Sequence, residues 1–187
     1  MVYFTDATLI LQLSIETKSP ADWYWMEIKN DMNKNITNKD IINGSFIIPD
    51  GVTEIKDRAF EGCSRLKSII IPESVTEIGE GAFYDCTSLK SIIIPEGVTK
   101  IGRITFGGCW SLSSIIIPEG VTKIGIDAFI ECSSLKSIII PDSVTEIGDW
   151  AFYECGSLKK VSLPKKVKLS YSVFDRCLPD LKIEYRD

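Results

Sequence analysis

The amino-acid sequence predicts a solenoid, a stack of short coils in which each coil is one copy of a repeated unit. The motif Ser-Ile-Ile-Ile-Pro occurs four times at intervals of 23 residues. All six cysteines occupy one position of the same repeat, spaced by 23 residues four times and by 22 residues once. A unit of this length is too short to bury an apolar side by itself, so it must stack on its neighbours.

Five full units and one degenerate unit follow each other along the chain. They begin at Phe46, Ile69, Ile92, Ile115, Ile138 and Val161. We therefore divide the chain into an N-terminal cap at residues 1–45, a solenoid at residues 46–177 and a closing strand with a polar tail at residues 178–187.

The isoleucine run of each unit predicts a short β-strand. Side chains alternate between the two faces of a strand, so Ile69 and Ile71 should point into the coil and Ile70 should point outward. Pro72 has no N–H to donate and ends the strand. Stacked copies of this strand would form a parallel sheet along one side of the solenoid.

The rest of each unit predicts a second strand and a turn. Apolar and polar residues alternate in Val75–Ile78, which favours a second, shorter strand. The following segment, Gly79–Cys86, favours a single helical or 3₁₀ turn on the other side of the coil. The predicted interior of this coil is formed by Leu66, Ile69, Ile71, Val75, Ile78, Ala82, Phe83 and Cys86.

The repeat frame, L-x-x-I-x-I-P-x-x-V-x-x-I-G-x-x-A-F-x-x-C, resembles the BspA-like, treponemal-type leucine-rich repeat. The second unit matches it with Leu66, Ile69, Ile71, Pro72, Val75, Ile78, Gly79, Ala82, Phe83 and Cys86. Thr105 departs from it by replacing alanine, and the sixth unit is one residue short with Leu169 in the isoleucine position. The resemblance implies a leucine-rich-repeat β-solenoid that binds another protein, such as a host or extracellular-matrix protein, in cell adhesion or host interaction.

The two ends do not follow the repeat. Alternating apolar residues at 9–15 predict a strand, and residues 19–32 predict a short helix with Ser19 as its N-cap and Pro20 in its first turn. This segment would cover the open end of the first coil; the alternative is a separate small domain. Leu181, Ile183 and Tyr185 alternate with polar residues and predict a last strand.

Composition excludes several classes of function. The net charge of −5 argues against a nucleic-acid partner, which requires a basic surface. The absence of histidine excludes Ser-His and Cys-His catalysis and the common zinc sites. No apolar run is long enough to be inserted in a membrane. We therefore predict a binding scaffold that is not an enzyme and has no metal or cofactor.

The six cysteines favour free, packed thiols over disulfides. Equivalent positions in adjacent coils lie close together, but their side chains point in parallel, which is poor geometry for a bridge. Unpaired thiols favour an intracellular scaffold or effector, as does an N-terminus with the early Asp6 and no basic segment. The family resemblance instead implies a surface or secreted protein.

Two surfaces are candidates for binding a partner. The first is the isoleucine row, the outward residues of the main strand, which are Ile47, Ile70, Ile93, Ile116 and Ile139. The alternative for these residues is the β-propensity of a duplicated strand. The second is a variable face around the turn, formed by Ile104, Trp110, Ile126, Ile130, Trp150 and Tyr153. The alternative is that these positions differ only because the repeats have diverged in sequence, and that their side chains are partly buried.

Overall fold

The computed structural model describes residues 36–186, which belong to one compact unit. The strand predicted at residues 9–15 and the helix predicted at residues 19–32 lie outside the described residues. Between residues 36 and 186 no helix is long and apolar enough to cross a bilayer.

Longer and shorter strands alternate along the chain. In order they are β1 (Ser45–Ile47), β2 (Glu54–Ile55), β3 (Ser68–Ile70), β4 (Glu77–Ile78), β5 (Ser91–Ile93), β6 (Lys100–Ile101), β7 (Ser114–Ile116), β8 (Lys123–Ile124), β9 (Ser137–Ile139), β10 (Glu146–Ile147), β11 (Lys160–Pro164), β12 (Lys168–Leu169) and β13 (Lys182–Arg186). This alternation confirms the predicted solenoid with a main strand and a short second strand in each coil.

The odd-numbered strands form the main side of the solenoid and are parallel. Each residue lies opposite its counterpart one repeat away: Ile92 pairs with Ile115, and Ile138 pairs with Val161, which pairs with Ile183. Backbone ladders join β1 to β3, β5 to β7, and β9 to β11 to β13. No ladder joins β3 to β5 or β7 to β9 within the described residues, so the main side is divided into three pieces.

The even-numbered strands form a second parallel side. Their ladders join β2 to β4, and β6 to β8 to β10 to β12. The missing residue of the sixth unit falls just before β12, where Leu169 still pairs with Ile147. The shorter sixth unit therefore keeps its register with the coil before it.

The prediction of a helical or 3₁₀ turn is wrong, since no residue from 36 to 186 is helical. Each turn contains two residues with positive φ, four positions apart, such as Gly81 at 61° and Asp85 at 56°. Helices of L-residues require negative φ throughout, so these two residues interrupt any helix. The same pair of positions has positive φ at Arg58 and Gly62, Ile104 and Gly108, Asp127 and Glu131, Trp150 and Glu154, and Ser172 and Arg176.

Hydrogen bonds between coils replace those of a helix. The N–H groups of Phe83 and Asp85 donate to the carbonyls of Thr105 and Gly107 in the next coil, both at 2.9 Å. The N–H of Cys86 instead donates to Phe83 within the turn at 3.1 Å. Main-chain groups thus alternate between partners in the next coil and partners in their own turn, which satisfies the buried backbone.

Two ladders of side chains fill the interior. Phenylalanines of successive coils stack with ring centroids 5.1–5.5 Å apart and planes within 14° of parallel; they are Phe60, Phe83, Phe106, Phe129, Phe152 and Phe174. The inward isoleucines are buried as predicted, except Ile71 and Ile115, which are half-buried beside the two interruptions of the main sheet.

Residues 36–45 extend the stack before the first full unit. Ile36 and Ile41 are buried, and the N–H of Ile36 donates to the carbonyl of Ala59 at 2.8 Å. The side-chain oxygen of Asn38 accepts the N–H of Arg65 at 2.8 Å. These residues cover the turn of the first coil.

Candidate interaction surfaces

The isoleucine row is exposed along the main side of the solenoid. Ile70, Ile93, Ile116 and Ile139 have exposed fractions of 48%, 64%, 56% and 67%, whereas Ile47 is half-buried. Ile93 and Ile116 lie opposite each other in the ladder between β5 and β7, and Ile70 and Ile139 occupy the same position in the coils on either side. Several large apolar groups exposed at successive repeats are uncommon on a protein surface unless something binds there.

Polar residues border this row on both sides. Two residues before each isoleucine, on the same face, lies an exposed serine: Ser45, Ser68, Ser91, Ser114 and Ser137. An acidic residue follows each strand-ending proline: Asp50, Glu73, Glu96, Glu119 and Asp142. Part of this acidic stripe is structural, because Glu73 and Glu119 accept the N–H groups of Glu96 and Asp142 in the next coil, at 3.3 and 3.1 Å.

A shallow depression interrupts the row between β7 and β9. It has a volume of about 330 Å³ and is lined by Ser113, Ser114, Ile115, Ile116, Ile117, Glu119, Ser137, Ile138, Ile139 and Pro141. It coincides with one of the two places where the main sheet lacks a backbone ladder. The gap explains why Ile115 is half-buried while its counterparts Ile92 and Ile138 are buried.

Polar groups end the row at the sixth coil. Ser162 takes the place of the isoleucine there, and the Arg186 guanidinium donates to its hydroxyl at 3.3 Å. The same guanidinium forms an ion pair with Asp142 at 2.7 Å. The apolar row therefore extends no further than Ile139.

The variable face is less uniform. Trp110, Ile126 and Trp150 are exposed, and the other three predicted residues, Ile104, Ile130 and Tyr153, are half-buried. The structure also exposes Tyr171, with an exposed fraction of 83%, which sequence reasoning missed. Its position is the one that Ile126 occupies in the fourth unit, so comparison of the units could have identified it.

Part of the variable face is a packed cluster over Gly107. A side-chain Cβ at Gly107 would lie 2.6 Å from Cγ1 of Ile104, 3.0 Å from Cγ2 of Ile130 and 3.3 Å from Cδ2 of Tyr84. A larger residue at this position would therefore displace its neighbours. Sequence reasoning missed Tyr84, although it follows its phenylalanine as Ile130 and Tyr153 follow theirs.

Charged groups divide the remaining apolar residues of this face. The Arg176 guanidinium lies 5.3 Å from the ring centroid of Tyr153 and pairs with Glu154 at 2.7 Å. Arg103 lies 4.0 Å from the Asp127 carboxylate. Burial raises the pKa of Asp127, and the charge of Arg103 opposes that rise. The variable face thus mixes apolar and charged side chains, whereas the isoleucine row has isoleucine at every exposed position.

The cysteines form a ladder of free thiols. Each Sγ–H donates to a main-chain carbonyl of the preceding coil at 3.1–3.3 Å. Burial raises the pKa of Cys63 and Cys177 to about 11 and that of Cys109 to about 12. No group of cysteine and acidic residues in the described part of the chain is arranged to hold a metal ion.

Known proteins share this repeat architecture. A family model for the BspA type leucine rich repeat region matches in six copies over residues 53–182. A leucine-rich repeat protein from Bacteroides ovatus is 36% identical with a TM-score of 0.62, over 70% of this chain and 43% of that one. The T. pallidum leucine-rich repeat protein is 33% identical with a TM-score of 0.62, over 76% of this chain and 73% of that one.

A more distant structure, a leucine-rich repeat protein from Eubacterium ventriosum, is 25% identical with a TM-score of 0.55, over 73% of this chain and 43% of that one. The chain thus spans less than half of the Bacteroides and Eubacterium proteins. No curated protein matches it. The match of the family model over most of the chain shows that it belongs to the BspA-type leucine-rich-repeat family, whose repeats are commonly used for protein–protein interaction.

Proposed function

We propose that this solenoid is a non-enzymatic module that binds another protein through the isoleucine row, Ile70, Ile93, Ile116 and Ile139. The observation that supports this choice is that four successive coils each expose an isoleucine at the same position of the main strand. Burying an isoleucine side chain contributes about 1.5–3 kcal/mol, so a partner that covers several of them can gain substantial affinity.

The depression between Ile116 and Ile139 adds a point of attachment. Interfaces concentrate their binding energy where a side chain of one protein fills a recess in the other. A recess of about 330 Å³ lined mainly by isoleucine and serine, together with Pro141 and Glu119, can accept an apolar or aromatic side chain of the partner. The β-propensity of a duplicated strand accounts for isoleucine at these positions, but it does not account for a recess within the row.

The class of partner follows from the family resemblance. We propose a host or extracellular-matrix protein as the partner and adhesion at the cell surface as the role. The alternative is an intracellular scaffold or effector module, which the six unpaired thiols favour. Localising the native protein by immunogold labelling of intact and permeabilised cells separates the two roles.

The binding surface is tested with two matched double variants. Ile93→Thr with Ile116→Thr alters the isoleucine row, and Trp110→Ser with Trp150→Ser alters the variable face. Proteins captured by wild-type bait are identified by mass spectrometry, and the captured partner is then titrated against all three proteins. We expect the isoleucine variant to bind at least about tenfold more weakly, a loss of about 1.4 kcal/mol. Loss of binding in the tryptophan variant alone would overturn the assignment.

One observation favours the variable face as a second candidate surface. Ile104 has a φ of 51°, although a β-branched residue is rarely tolerated there. Strained backbone is concentrated at functional sites in proteins. Ile104→Asn would relieve the strain and remove the apolar group, so weaker partner binding by this variant, with an unchanged far-UV circular dichroism spectrum, would support the second surface.

A further inference from the structure

We infer that β13 is a dimerisation edge, on which a second copy of the chain pairs its own β13 in the antiparallel direction with Ile183 at the centre. This interface is distinct from the isoleucine row and does not depend on the proposed function. Three features of the structure lead to it: an open backbone edge, an open core and a pattern of charges that selects one register.

The backbone edge of β13 is open. β13 pairs with β11 on one side and has no strand on the other among the described residues. The N–H of Lys182 donates to Lys159 at 2.9 Å, and the carbonyl of Arg186 accepts from Lys165 at 3.1 Å. Alternate residues of a strand bond to opposite sides, so the N–H and C=O groups of Ile183 and Tyr185 point away from β11. Such an edge is a template for another strand.

Within the described residues, the core is also uncovered at this end. Ile183 pairs with Val161, which is fully buried, yet Ile183 itself has an exposed fraction of 37%. Tyr185 pairs with the fully buried Leu163 and has an exposed fraction of 53%. These two side chains occupy core positions of the coil, and among residues 36–186 no other coil lies over them. The apolar end of a repeat stack is normally covered.

The charges of β13 distinguish between two possible registers. With Ile183 at the centre, Lys182 lies opposite Glu184 of the second copy, and Leu181 lies opposite Tyr185 of the second copy. A two-fold axis relates the two copies, so each of these two pairs occurs twice in the dimer. With Glu184 at the centre, Glu184 would face Glu184 of the second copy, and Lys182 would face Arg186 of the second copy. Opposite charges across a strand pair stabilise it and like charges destabilise it, so the register centred on Ile183 is favoured.

The same arrangement joins the two cores. A two-fold axis perpendicular to the sheet keeps Ile183 and Tyr185 of both copies on the same face. The apolar side chains of the two ends would then cover each other. Glu184 already pairs with Lys160 of its own chain at 2.9 Å, so it would lie between that lysine and Lys182 of the second copy.

The first test is the mass of the protein in solution. We expect sedimentation equilibrium of the full chain to show reversible formation of a species with twice the 20.9 kDa mass of the chain. Ile183→Pro removes an outward N–H and leaves the ladder to β11 intact, so this variant should be monomeric and have an unchanged far-UV circular dichroism spectrum. A wild-type protein that is monomeric up to millimolar concentration, or a dimer that survives Ile183→Pro, would overturn the inference.

The second test is a charge exchange within β13. Either Lys182→Glu or Glu184→Lys alone places residues of like charge opposite each other, and the two-fold symmetry repeats this at a second place in the dimer. Each single variant should therefore raise the dissociation constant of the dimer about tenfold. The double variant exchanges the signs and should restore wild-type dimerisation, with thermal unfolding of each monomer as the control. Tighter dimerisation of Lys182→Glu would instead indicate the register centred on Glu184 and would refute the one proposed here.

Discussion

The thiol of Cys109 donates a hydrogen bond to the main-chain carbonyl of Phe83, 3.2 Å away in the preceding coil. The same contact joins Cys132 to Phe106 and Cys155 to Phe129. A cysteine side chain is small enough to pack beside the phenylalanine stack, and its weak S–H donor gives the Phe83 carbonyl a second hydrogen bond, in addition to that from the N–H of Cys86. The contact recurs from coil to coil and is one that an alanine at the same position could not form.

The first prediction concerns the number and reactivity of the thiols. All six cysteines are free, and Cys177 is the least buried. We expect thiol titration of unfolded, unreduced protein to find about six thiols, and the native protein to react much more slowly, beginning at Cys177. Disulfide-linked peptides in a digest of the unreduced protein would contradict this prediction.

The second prediction concerns alkaline pH. Burial raises the pKa of Cys109 to about 12, whereas a thiol in the unfolded chain ionises near pH 8.5. The unfolded state therefore releases the proton first, so the stability from this group is complete below about pH 8.5 and is lost as pH rises toward about 12. The free energy of unfolding is measured with urea between about pH 9 and 10.5. For each pH unit it should fall by about 1.4 kcal/mol less in Cys109→Ala than in wild type. Equal slopes would contradict it.

The third prediction compares two phenylalanines of the stack. Phe106 is fully buried between Phe83 and Phe129, whereas Phe174 is half-buried at the end of the stack and contacts Phe152 alone among these rings. Phe106→Ala should lower the free energy of unfolding by about 3–5 kcal/mol, and Phe174→Ala by less than about half as much. Chemical denaturation measures both losses of stability. Equal losses would indicate a single globular core, in which the cost of losing a phenylalanine does not depend on its position along the chain.

The fourth prediction concerns Thr105, the residue that replaces the repeat alanine. Its hydroxyl is fully buried and has no hydrogen-bond partner among residues 36–186. Thr105→Val removes the unsatisfied hydroxyl and keeps the volume, so it should raise the free energy of unfolding by about 1–3 kcal/mol. Thr105→Ser keeps the hydroxyl and serves as the control, which should be no more stable than wild type. A loss of stability in Thr105→Val would refute the assignment of an unsatisfied group.

The fifth prediction separates the two faces of the main strand. Ile93→Thr and Ile116→Thr remove only exposed apolar surface and should change the free energy of unfolding by less than about 0.5 kcal/mol. Ile92→Thr buries a hydroxyl and should cost about 1–3 kcal/mol. Ile115→Thr should cost less than Ile92→Thr, because Ile115 borders the depression. Thermal unfolding ranks the stability of the four variants. A large loss of stability in Ile93→Thr and Ile116→Thr would show that the inward and outward faces of the strand have been assigned the wrong way round.

The repeat made most of the fold predictable from the sequence. A spacing of 23 residues places Ile92 on Ile115 and Phe83 on Phe106, so identical residues stack in register and the core follows from the pattern of one unit. The isoleucine row was predictable for the same reason, because two-residue alternation places Ile93 and Ile116 outside. Its role in binding remains a prediction.

The turn was not predictable from local propensity. Residues such as Ile104 and Trp150 ordinarily favour negative φ, yet both adopt positive values. They do so because the turn bonds to the next coil through pairs such as Phe83 and Thr105. A prediction from local sequence does not include hydrogen-bond partners in the next coil, because these come close only when the coils stack.

The sequence by itself determined the length of the coil, the register of the stack and the residues that face inward, because each follows from a periodicity within the chain. The tertiary structure alone decided the form of the turn, the depression between β7 and β9, and the closure of the row by Arg186 with Ser162 and Asp142. Arg186 reaches Asp142 from 44 residues further along the chain. Such contacts depend on how separate coils lie against one another, and no period of the sequence encodes that placement.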